Sequence, residues 1–273
     1  MITDAGGLTI KLKPTEVTWF RFLQASRTTN SLEGGWNSRT HWGNKGLFFL
    51  HSKGAPFLRQ WTTNSLKMSA NPGRRTNEFM FDRQLSKERR LLANKGELTK
   101  KDFDGLLSEN EINARLFEHH RQWKKYIGYE IPLAKESDGQ LKVDIIAIEE
   151  SNCSLEIIEL KQANNTSDSP LMALTEAICY GIQAVRCREH LLKASGIKGV
   201  SEKYFNSIRL LLAAPRQYWE YWKGDKEKMV DPMEYIVNQV NEALPAKTQL
   251  VFDKQSICVL EDCLPEFASS NHF

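Results

Sequence analysis

The spacing of apolar positions changes near residue 84. Before it, short strand-like runs such as 46–50 stand between turn-forming clusters at 30–35 and 69–73. That pattern predicts a mixed or mostly β module with long loops, residues 71–75 forming an exposed one. From Gln84 to Ala93 paired leucines on a polar background give a helical spacing, and Gly96 suits a C-terminal stop. Residues 99–102 (Thr-Lys-Lys-Asp) and 108–111 (Ser-Glu-Asn-Glu) both have the form of a capping box. The second opens a helix over about 109–125, with Ile112, Leu116 and Trp123 as its apolar stripe.

Three strands are expected next, over 126–133, 141–148 and 155–161. A polar loop then leads through Pro170 into a long helix, 170–195, which carries Leu171, Leu174, Ile178, Ile182 and Val185 on one side. Residues 208–213 read as a buried strand, 232–244 as a helix and 248–261 as a closing strand pair. Strands joined by short links pair antiparallel, and the helix before the fourth strand permits a parallel crossover. The expected fold is therefore α/β, αβββαβ from residue 105 onward with additions, around a mixed central sheet.

Charge divides the chain in the same way. The net formal charge is only +3, but residues 1–100 hold 17 Lys and Arg against 7 Asp and Glu, and the rest holds 20 against 27. Four of the seven tryptophans, Trp19, Trp36, Trp42 and Trp61, also lie in the first hundred residues. Basic residues interleaved with aromatics suit a surface that contacts phosphates and stacks on bases. A solvated basic face over an aromatic core has the same composition. Two domains are expected, 1–100 for nucleic-acid binding and 101–273 for chemistry. Arg74, Arg75, Arg89 and Arg90 are the candidate phosphate contacts.

Hydrophobic residues make up 41% and charged residues 26%, which excludes wholesale disorder. Five cysteines, none in a C-x-x-C pair, suggest neither a disulfide framework nor a zinc knuckle. The first residues carry no basic, apolar leader, and no run approaches the ~18 apolar residues of a membrane span. A soluble, cytoplasmic protein without a membrane partner is expected.

The chemistry concentrates in two strands, Val143-Asp144-Ile145-Ile146 and Ile158-Glu159-Leu160-Lys161. A hairpin turning at Ser151-Asn152 would set Asp144 opposite Glu159, with Cβ atoms ~4.5–5.5 Å apart. Glu159 and Lys161, two apart on a strand, share a face. Two carboxylates and an ammonium among apolar neighbours would be costly unless a divalent cation joined them.

This Asp-x14-Glu-x-Lys pattern, with apolar flanks and a preceding helix and strand, resembles the PD-(D/E)XK nuclease superfamily over about residues 105–215. The resemblance implies a restriction-endonuclease-like core and a metal-dependent phosphodiesterase, with DNA endonuclease activity expected. It implies Asp144, Glu159 and the Leu160 carbonyl as Mg²⁺ ligands, Mn²⁺ substituting, and Lys161 as the catalytic lysine. Many members add a glutamate from the preceding helix. Glu111 is the choice here for catalysis and metal binding, and Glu118 the runner-up. Glu176 and Tyr180 match a supporting Gln-x-x-x-Tyr pair, with glutamate in place of glutamine, and valine precedes Asp144 where the family name has proline. A homodimer or other protein subunits are compatible. The alternative is a catalytically silent nucleic-acid-binding or defence-complex subunit that keeps the fold.

Other features carry less. Glu111 can simply close a capping box with Ser108. His119 and His120 point about 100° apart on a helix, a poor chelate, so partial exposure is expected. His41 and His51 lack a ligand framework.

Overall fold

The structure is a computed structural model and describes residues 2–3, 9–10, 55–67, 87–136, 139–195, 201–222 and 226–265. The candidate strand at 46–50, the loop at 71–75, His41, His51, Arg74 and Arg75 lie outside the described residues.

Within the first hundred residues, β1 (Ile2–Thr3) pairs antiparallel with β2 (Thr9–Ile10). Among the described residues the next two elements are helices, α1 (Ala55–Lys67) and α2 (Lys87–Ala93). Helix α1 departs from the mixed or mostly β module that the sequence pattern predicts for this region. Its buried residues, Leu58, Trp61, Thr62 and Ser65, follow helical spacing, but the polar residues between them hide it. It belongs to the main core, where Ala55, Leu58 and Trp61 join residues of the sheet.

Helices α3 (Lys100–Phe103) and α4 (Glu109–His119) follow as their capping residues predict. Asp102 accepts from the Thr99 backbone N–H at 2.7 Å, and Ser108 Oγ accepts from the Glu111 N–H at 3.2 Å. Gly96 turns the chain after α2 at φ 84°, which a glycine adopts without steric penalty. Helix α4 ends earlier than expected, because His120 is buried there and its Nε2 accepts from the Leu98 N–H at 3.0 Å. His120 is thus a packing residue rather than a half-exposed one.

Six strands form one sheet. Strands β3 (Lys125–Glu136), β4 (Gly139–Glu149) and β5 (Ser154–Leu160) pair antiparallel in sequence order. Strand β6 (Ser207–Ala214) lies parallel to β5, and β7 (Gln249–Val251) and β8 (Ile257–Val259) both lie parallel to β6. The molecule is mixed α/β with a mixed sheet. The crossover between β5 and β6 is α5 (Pro170–Arg186) followed by α6 (Arg188–Ser195). The expected single helix breaks at Cys187, whose thiol donates to the Leu133 carbonyl at 3.2 Å. After β6 come α7 (Arg216–Tyr221), α8 (Lys226–Asn241) and, past β8, α9 (Leu260–Cys263). Pro232 lies inside α8 rather than at its start; Met229, one turn before Met233, extends the buried stripe upstream.

Both faces of the sheet are covered. Leu155 and Ile157 point into a core shared with α1, α5 and α8, while Ile158 and Leu160 point into a second core with α2 to α4. All seven residues of β5 are buried, as a strand with a parallel neighbour and two covered faces requires. Among the described residues no helix is long and apolar enough to cross a membrane. The five cysteines are free.

Candidate active site

The β4–β5 hairpin turns over residues 150–153 and pairs Ile145 with Ile158, the register the apolar pattern demands. Asp144 and Glu159 lie one step beyond that last pair. Alternation from Ile146 and Ile157 puts both on the α5 side of the sheet. Asp144 leaves the ladder in a defined way: its Oδ2 accepts from the Leu160 N–H at 2.8 Å. Its own carbonyl accepts from Asn113 Nδ2 on α4 at 3.2 Å. On β3 the opposite residue, Glu130, has a left-handed φ of 47°, uncommon for a side chain other than glycine. Glu130 is tied to Arg89 on α2, and Arg89 also donates to Asn110 Oδ1 at 2.7 Å.

Glu159 and Lys161 share a face, as their spacing dictates, and each is 4% exposed. Lys161 Nζ lies 2.5 Å from Glu159 Oε1 and 2.8 Å from Glu176 Oε2. Glu176 reaches it from α5. That helix is fixed by Ser169, whose hydroxyl accepts from the Met172 N–H at 3.2 Å. The preceding loop is pinned by α7 and its flank: Tyr218 Oη donates to the Asp168 carbonyl at 2.9 Å, and Trp222 Nε1 to that of Asn165 at 3.1 Å. Tyr180, one turn beyond Glu176, is also buried.

Electrostatics bind these groups into one unit. Burial raises the pKa of Asp144 well above the usual carboxylate range, and Glu109 raises it further against Lys161 and the Leu160 N–H. Burial also raises Glu159, with Lys161 opposing and Asp144 and Glu176 adding to the rise. Burial disfavours the charge on Lys161, but Glu159, Glu176, Glu109 and Asp144 outweigh it, so the lysine is held ionised. Burial and the carboxylates of Glu159, Glu176 and Asp144 keep the Tyr180 phenol protonated.

The structure brings together five of the residues singled out by sequence: Asp144, Glu159, Lys161, Glu176 and Tyr180. Glu111 is not among them. Its carboxylate meets Lys95 Nζ at 3.0 Å and Arg115 Nη1 at 3.4 Å, in a network that joins α4 to the turn after α2. The α4 carboxylate that acts on Asp144 and Lys161 is Glu109. Two residues apart on a helix, Glu109 and Glu111 point about 200° from each other. Glu109 falls in line with Ile112, Asn113 and Leu116, which are buried, so the apolar stripe itself could have marked it. Glu118 is exposed. Of the basic candidates, Arg90 is exposed on α2 and Arg89 is engaged as described. Asn113 and Tyr218 carried no local signal.

The donor set suits a hard divalent cation, being oxygen alone, from carboxylates and the Leu160 carbonyl. Glu159 Oε2 is buried without a hydrogen-bond partner, an acceptor that a cation would satisfy. As the side chains stand, no three Asp, Glu, His or Cys groups among the described residues are gathered to hold a metal ion. Lys161 stands between Glu159 and Glu176, and Asp144 Oδ2 is turned to the Leu160 N–H. No protein-family model, curated protein or solved structure matches the chain.

Proposed function

We propose that the chain is a metal-dependent nuclease of the PD-(D/E)XK type, its restriction-endonuclease-like core running from α4 to β6, with DNA the expected substrate. The observation that carries this reading is the buried contact of Glu159 with the Lys161 ammonium, with half-buried Asp144 acting electrostatically on both and Glu159 Oε2 left unsatisfied. Asp144 and Glu159, with Glu109 and the Leu160 carbonyl, would hold Mg²⁺ or Mn²⁺. When bound, such an ion supplies charge that polarises a phosphoryl oxygen and acidifies an attacking water.

The protein's own groups have distinct roles in this scheme. The Leu160 N–H orients the Asp144 carboxylate. Lys161 offsets negative charge that develops on the phosphate, a form of stabilisation strengthened where water is excluded. Glu176 orients the lysine, and Tyr180 closes the wall beside it. Arg74, Arg75 and Arg90 are the basic residues offered to the backbone of the nucleic acid, while Glu111 holds the fold. Assembly as a homodimer, or with other subunits, is compatible with this scheme.

A silent nucleic-acid-binding subunit is the second reading. The closed contact of Lys161 with two carboxylates favours it, since those charges already compensate one another. Incubation with linear, circular and single-stranded DNA and with RNA, with and without Mn²⁺, separates the two. The nuclease reading expects cleavage that requires the cation and stops with chelator. Binding of these substrates with no cleavage under any condition would leave the silent subunit as the account.

A further inference from the structure

Lys161 occupies an unusual place for a lysine that must assist chemistry at a phosphate. Its ammonium is shared by Glu159 Oε1 at 2.5 Å and Glu176 Oε2 at 2.8 Å, with all three residues no more than 4% exposed. It is therefore the cation that now balances the carboxylate Glu159 would offer to a metal. A magnesium ion binds a carboxylate oxygen at 2.0–2.1 Å. An ammonium 2.5 Å from Glu159 Oε1 would then face a divalent charge across a single oxygen atom. Where the metal takes Oε1 as well as Oε2, the two cations repel and the ammonium is driven off that oxygen.

The identity of residue 176 decides where it goes. A glutamine could offer the ammonium a neutral carbonyl oxygen. A glutamate offers a full charge, so the lysine can leave Glu159 without becoming an unpaired buried cation, which would be strongly destabilising. The free Glu159 Oε2 completes the picture, because it is an acceptor through which an incoming cation can engage the carboxylate before Oε1 is released.

We propose that Lys161 is the resident cation of this site, and that a divalent metal enters by exchange, the ammonium passing from Glu159 to Glu176. Glu176 is thus a positioning residue that sets metal affinity by receiving Lys161. This inference rests on the proposed metal-dependent function and adds its control.

A double-mutant cycle on Mn²⁺ binding to the purified full chain, measured by calorimetry without nucleic acid, tests it. Glu176→Gln should weaken Mn²⁺ binding by roughly tenfold or more, the scale of outer-sphere effects on metal affinity. Lys161→Met should tighten it. In the Lys161→Met background, Glu176→Gln should have little further effect, because no ammonium remains to be received. Equal weakening in both backgrounds would mean that Glu176 acts only as one more negative charge, and would overturn the exchange. So would a Glu176→Gln protein that binds Mn²⁺ as the wild type does.

Should Lys161→Met fail to fold, the wild type still decides. With ¹⁵N-labelled lysine, the Nζ resonance of Lys161 should shift on adding Mg²⁺, and a resonance unmoved at saturating Mg²⁺ would contradict the exchange. A wild type that binds neither ion would overturn the metal-dependent function itself, a result distinct from additive mutational effects.

Discussion

Asp144, half-buried, and Glu159, buried, have pKa values above their ordinary 3.8 and 4.5. The folded state then binds these protons more tightly than the unfolded chain does. The stability they contribute is complete below the unfolded values and is lost as pH rises through the raised folded ones. Glu159→Gln should accordingly melt at a higher temperature than the wild type at pH 8, with the gap closing near pH 4. A thermal-melting series against pH checks this. Mg²⁺ should raise the melting temperature more at pH 8 than at pH 5, because ligands must be deprotonated to bind and binding stabilises by mass action. Lys161 has the opposite role. Lys161→Met should cost about 3–5 kcal/mol in denaturant unfolding at pH 8, since it removes the cation paired with both Glu159 and Glu176. At this scale the sequence was readable wherever strand alternation fixes direction: Asp144, Glu159 and Lys161 converge as a two-residue period requires. Asn113 was not readable, because its role is to occupy a carbonyl that the ladder leaves open.

Helices are less forgiving of partial information, because a shift of two residues nearly reverses direction. The capping pattern locates the start of α4 but gives no phase; it leads to Glu111, with Glu118 the runner-up, whereas the α4 carboxylate that acts on Asp144 and Lys161 is Glu109. Glu109 and Glu111 differ in what they hold, which yields a paired expectation. Glu109→Gln should lower Mn²⁺ affinity and cleavage while leaving stability nearly unchanged. Glu111→Gln should lower stability by about 1–3 kcal/mol, as expected when a buried charged partner loses its hydrogen bond, and should leave cleavage intact. Unfolding curves and cleavage rates on the two variants decide between the roles. Helix α5 depends on contacts beyond its own sequence. Tyr218→Phe removes the phenol that holds the loop before it and should cost about 1 kcal/mol, with a loss of activity as Glu176 shifts. Element order and type were legible from β3 to β6 because long apolar runs alternate with one strong helical stripe. Helix α1 was missed for the reverse reason: its buried face includes Thr62 and Ser65, polar residues that a hydrophobicity pattern does not count.

Across the whole molecule, the sheet sets the Asp144–Lys161 site at the end of the β4–β5 hairpin, with α4 approaching from one side and α5 from the other. The first hundred residues carry the basic excess and the rest the acidic one. If the basic part holds nucleic acid, binding should weaken steeply as salt rises, through counterion release; a flat profile in a fluorescence-anisotropy titration would contradict that role. Metal-dependent phosphodiester hydrolysis at Asp144 is tested by the Mn²⁺-dependent cleavage rate of Asp144→Ala beside the wild type, with nucleic-acid binding measured on the same samples. The rate should be lower by at least about a hundredfold, the scale of losing a principal electrostatic contact, with binding retained. Cleavage by Asp144→Ala at the wild-type rate would contradict that assignment.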